Sequence, residues 1–108
     1  MIDRIEYCIE RCYLCAAACE RCVSSGLMSP DWEAMRDCLQ SASQCATLCR
    51  LAAQYLAINT ESALQLYQIC IEACEDCAEK CSKYQLLSCR HCAQTCRQCA
   101  ILLKEIMA

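Results

Sequence analysis

The sequence predicts an all-α protein, specifically an antiparallel four-helix bundle with a cysteine-lined core. Three observations lead there. The chain has 108 residues, 57% of them hydrophobic, with one Gly and one Pro; it lacks the punctuation of a turn-rich β protein and suits long helices. Its cysteines recur in steps of three and four, as at Cys70, Cys74, Cys77 and Cys81 within CIEACEDCAEKC, which is the helical period. Three short breaks divide the chain into four such stretches, and connections this short make neighbouring helices antiparallel.

The first helix is expected over about residues 3–25. It carries Cys8, Cys12, Cys15, Cys19 and Cys22 on an arc of roughly 80°. The run SSGLMSP follows, with Gly26 as a helix stopper, Ser29 as N-cap, Pro30 at the first helical position, and Asp31 and Glu33 in the first turn. The second helix is therefore placed at about 30–56, with Cys38, Cys45 and Cys49 within roughly 40°. In INTESA, Asn59 or Thr60 offers an N-cap ahead of Glu61, which opens a third helix at about 60–82. Its Cys70, Cys74, Cys77 and Cys81 again span roughly 40°. CSKYQLL around Ser82 supplies the last break, and a fourth helix at about 85–107 carries Cys89, Cys92, Cys96 and Cys99 over roughly 80°. Four narrow thiol stripes can be buried together only by facing one axis. One domain over residues 1–108 suits this length.

Composition excludes several classes of function. A formal net charge of -3, with ten scattered Lys and Arg, gives no basic footprint for nucleic acid. Glu, Gln, Arg or Asp interrupts every apolar run before it could span a membrane. The beginning MIDRIEYCIERC has no apolar leader segment. A cytoplasmic protein is expected. Sixteen cysteines would mark a disulfide scaffold in a small secreted protein, but cytosolic thiols are kept reduced and such scaffolds are loop-rich. Metal binding is the better reading.

Spacing and charge narrow the metal. Side chains at i,i+3 or i,i+4 have Cβ atoms about 5–6 Å apart, too far for a disulfide. Two thiolates bridging one metal at about 2.3 Å each stand about 4.5 Å apart, within small rotamer adjustments of that spacing. A monovalent ion replacing each thiol proton leaves the core neutral, whereas Zn²⁺ in Cys₄ sites would leave two negative charges per site with nothing basic to offset them. Soft thiolates and a closed-shell monovalent ion together select Cu(I), at most about one per thiol.

The runs CIERCYLCAAACERC at 8–22 and CRHCAQTCRQCA at 89–100, with the ladder at 70–81, resemble the cytosolic members of the copper storage protein family over nearly the whole chain. The resemblance implies a four-helix bundle whose thiols point inward and load many Cu(I) ions, assembled as a homotetramer. Continuing the cysteine rows reaches Gly26, Tyr67 and Leu103, where family members can carry further cysteines, so a lower capacity is implied.

Competing readings are weaker. Reduced cysteine can serve as a small hydrophobe, but Ala, Leu and Val fill helical cores without oxidation risk. Thioredoxin-like chemistry needs a βαβ setting. A di-iron bundle enzyme needs Glu-x-x-His motifs, and the one histidine, His91, is preceded at that position by Ser88. No catalysis is assigned. The alternative from another class is a Cu(I) transfer or redox partner that binds few ions. His91 is expected on a helix flank; Met28 and Met35 near one bundle end and Met107 near the other are expected in core or loop packing, with thioethers that could pass Cu(I) inward. Ile5, Ile9 and Tyr13 on the first helix and Leu64, Ile71 and Ala78 on the third predict a second buried face suited to self-association.

Overall fold

The computed structural model describes residues 3–58 and 63–108. Four helices account for most of them: α1 (Arg4–Leu27), α2 (Arg36–Ile58), α3 (Leu64–Cys81) and α4 (Leu87–Met107). They form a ring in which α1 packs on α2, α2 on α3, α3 on α4, and α4 back on α1. Direction follows from the sulfur contacts. Cys12 meets Cys99 and Cys22 meets Cys89, so α1 and α4 run antiparallel. The result is a rod 43 × 27 × 19 Å.

The rod is narrow because small side chains flank the cysteine stripes. Ala16, Ala18, Ala42, Ala46, Ala52, Ala53, Ala78, Ala93 and Ala100 are all buried, and methyl-sized side chains let helices approach closely while adding helix propensity. Asp3 caps α1, its carboxylate accepting from the Ile5 N–H at 3.4 Å, and Glu6 complements the helix dipole in the first turn.

Two expected boundaries are corrected. Gly26 does not stop α1; it lies buried inside the last turn, and a Cβ there would overlap the Leu39 side chain. Its role is close approach between α1 and α2, and Met28 is the C-cap. The second helix starts at Arg36 rather than at residue 30. Ser29 does cap locally, its hydroxyl accepting from the Asp31 N–H at 3.2 Å, but residues 30–35 form successive turns. The Ala34 carbonyl, which would feed a helical ladder, instead accepts from the Tyr84 hydroxyl at 2.8 Å. The third helix begins at Leu64; the proposed caps Asn59 and Thr60, and Glu61, lie outside the described residues. Its end at Cys81, with Ser82 as C-cap, agrees with the break expected there.

The predicted second face divides. Ile71 and Ala78 are buried within the chain, Ile5 and Ile9 are partly buried against the core, and Tyr13 and Leu64 are about half exposed. An α3 face that was expected to await a partner is thus largely consumed by the bundle itself. Among the described residues, no helix is long and apolar enough to cross a membrane.

Candidate metal centre

Each helix presents its cysteines inward for the reason the sequence suggested: a step of three or four residues returns to nearly the same side of the helix. All sixteen cysteines are free thiols, and none is more than 1% exposed. Sulfur atoms on one helix approach within bonding range, as at Cys45–Cys49 (3.8 Å), Cys77–Cys81 (3.8 Å) and Cys92–Cys96 (3.9 Å). The closest approaches are between helices: Cys38–Cys81 at 3.0 Å and Cys22–Cys89 at 3.3 Å. Sequence spacing reveals the first kind of contact and is silent on the second, which depends on the register of one helix against another.

Four groups have every sulfur within 4.8 Å of the others: Cys15, Cys49, Cys74 and Cys99; Cys15, Cys19, Cys45 and Cys96; Cys19, Cys77, Cys92 and Cys96; and Cys22, Cys38 and Cys81. Because Cys15, Cys19 and Cys96 each belong to two groups, the first three groups join into one continuous column. The remaining four cysteines attach at its margins. Cys12 lies 3.6 Å from Cys99, Cys70 3.8 Å from Cys49, and Cys89 beside Cys22. Cys8 is buried one helical turn before Cys12.

The electrostatics are those of a dry, mutually bonded thiol array. A thiol that receives hydrogen bonds gives up its proton more readily, and its neighbours hold theirs. Hydrogen bonds from Cys22 and Cys81 bring Cys38 down to about 4, whereas Cys22 is pushed up chiefly by its bond to Cys38, and Cys81 by its bonds to Cys22 and Cys38. Burial pushes Cys89 up to about 11. Among the described residues no side-chain cation lines the column: Lys80 bonds Asp76 and Ser41 on the outer side of the α2–α3 seam. The array therefore accepts positive charge only in exchange for protons, and fully bridged monovalent ions satisfy that condition. Sulfurs 3.0–4.0 Å apart in the thiol form need to open by only about 1 Å to bridge an ion at thiolate bond lengths.

The copper storage protein family matches residues 1–108. This chain belongs to that family. The Bacillus subtilis (strain 168) cysteine-rich protein YhjQ, whose role is uncharacterized, is 30% identical over 95 residues, covering 88% of each chain. The Cu(I)-bound copper storage protein BsCsp3 superposes with a TM-score of 0.92 at 27% identity, over 98% of this chain and 100% of that one. A cytosolic copper storage protein from Streptomyces lividans, solved with five coppers, superposes equally well at 28% identity over 96% of this chain and 92% of that one. The same species' Ccsp, loaded with 10 copper equivalents, also gives 0.92 at 28% identity, over 96% of this chain and 83% of that one.

Residues outside the thiol set fall as follows. His91 is exposed, on the outer side of α4, in a shallow groove with Arg90, Gln94 and Arg97. Met28 is 84% exposed, Met35 is buried in the core and Met107 is half-buried, so the three methionines occupy unlike environments. Tyr67 and Leu103, which continue the cysteine rows, are buried. Tyr67 sits close enough to Cys8 and Cys12 for their charge to raise its phenol, after burial. Sequence reasoning did not single out Tyr84, because its partner Ala34 lies fifty residues away and no local pattern links them.

Proposed function

We propose that this chain is a cytosolic Cu(I) store, acting as one domain over residues 1–108 and holding many ions on the thiolates of all sixteen core cysteines. The observation that carries the reading is the shared column. Four helices place their sulfurs within mutual bridging distance along one axis, and a merely structural core would have no need of sulfur at every level. The copper-loaded relatives support it: one carries Cu(I), one five coppers and one 10 copper equivalents. Bridging caps the load at about one ion per thiol. The cytosolic placement follows the Streptomyces relative and the need for reduced thiols.

Storage is a binding role, and the chemistry of the column suits it: the thiolates are buried and spent on ions. Self-association as a homotetramer is the assembly the family resemblance implies, and Tyr13 and Leu64 are apolar side chains left for it. Titration of the reduced protein with Cu(I) against a competing chelator tests the reading. About ten or more ions per chain are expected; saturation at one to four would instead make the protein a transfer or redox partner.

A further inference from the structure

With no thiol more than 1% exposed, copper reaches the column only if part of the bundle opens. The two ends differ in how they could do so. At one end the rows finish in hydrocarbon, with Leu103 and Tyr67 buried one helical turn beyond Cys99 and before Cys70. At the other end the thiols Cys22, Cys38, Cys81 and Cys89 are drawn from all four helices. The cover over this end is not helical: residues 28–35 join α1 to α2 and residues 82–86 join α3 to α4.

A single side-chain hydrogen bond ties these two connections together, from the Tyr84 hydroxyl to the Ala34 carbonyl oxygen at 2.8 Å. The next residue, Met35, turns inward and is 3% exposed. Tyr84 is partly buried against the core, three residues after Cys81, and Ala34 lies four residues before Cys38, which sets the bond beside the end group of the column. Turns held by few long-range bonds open locally at lower free energy than packed helices.

We propose that Tyr84 is the latch of this end: its bond to Ala34 holds the 28–35 connection over Cys22, Cys38, Cys81 and Cys89, and breaking that bond is the opening step through which Cu(I) enters and leaves. The proposal rests on the storage reading, but the two fail separately, because the end-point load tests storage and the rate tests the latch.

The experiment compares wild type, Tyr84→Phe and Tyr67→Phe in the rate of Cu(I) uptake from a coloured chelator complex. Tyr84→Phe keeps the ring and removes only the hydroxyl. It should speed uptake about three- to tenfold, the factor carried by one neutral hydrogen bond, with the final number of ions unchanged, while Tyr67→Phe at the opposite end leaves the rate as it was. An unchanged rate in Tyr84→Phe, or equal acceleration by Tyr67→Phe, overturns the latch. Hydrogen exchange on unmodified protein provides a check that requires no variant to fold. Amides of residues 32–35 should exchange before those around Cys8 and Cys70, and the reverse order overturns the proposal.

Discussion

The two ends of the bundle are built from different material. At the end formed by Cys22, Cys38, Cys81 and Cys89, every helix contributes a sulfur. At the other, only α1 reaches the last level with a thiol, Cys8, while α3 and α4 bring Tyr67 and Leu103, and α2 runs out in Ala52, Ala53 and Leu56. Sulfur exchanges protons for metal, whereas hydrocarbon contributes burial in any metal state. The hydrocarbon end should therefore keep the metal-free bundle folded, and the sulfur end should gain order as it loads.

The sharpest way to break this contrast is to truncate one residue at each end and unfold the metal-free protein in urea. Leu103→Ala opens a cavity at a fully buried position and should cost about 2–5 kcal/mol. Cys22→Ala removes one sulfur atom from the other end and should cost about 1 kcal/mol. Equal losses would show that the thiol end carries as much of the metal-free stability as the hydrocarbon end.

Much of this architecture is legible in the sequence. The four stripes could be read because helical phase is a local property: Cys70, Cys74, Cys77 and Cys81 share a face whatever lies across from them. What could not be read depends on contacts between distant residues. Gly26 looked like a stopper because glycine commonly ends helices, yet here Leu39, thirteen residues on, occupies the space a side chain would need. Helix α2 is expected to start six residues earlier because Ser29 and Pro30 form a sound start signal; Tyr84 diverts the Ala34 carbonyl from the ladder. The groupings of thiols, such as Cys15 with Cys45 and Cys96, follow from inter-helix register, which no spacing within one helix encodes. The apolar positions Ile71 and Ala78 are buried, as their pattern predicts, but the bundle itself covers them.

A second test converts one end into the other. Tyr67→Cys with Leu103→Cys would extend the α3 and α4 rows by one turn and give Cys8 partners from two further helices. Mass spectrometry of the Cu(I)-loaded double variant should show about two more ions per chain than wild type, at about one per added thiol. In the opposite direction, Cys8→Ala should lower the load by at most about one ion, and Cys22→Ala, which removes a member of the compact Cys22, Cys38 and Cys81 group, by about one to two.

The smallest expected difference lies in the pH dependence of the metal-free protein, and its sign follows from the thiol end. Burial raises Cys89 from an ordinary thiol value of 9.0 to about 11. The folded state thus holds that proton more tightly than the unfolded state does. Its contribution to stability is fully present below pH 9 and is lost as pH rises toward 11. Other buried thiols contribute to the same fall, so the informative quantity is the difference between wild type and Cys89→Ala in unfolding temperature at pH 8 and at pH 11. The wild type should lose more between these two values than the variant does. An identical loss would mean that Cys89 deprotonates as freely in the folded bundle as in the unfolded chain, and that the sulfur end is wetter than its burial implies.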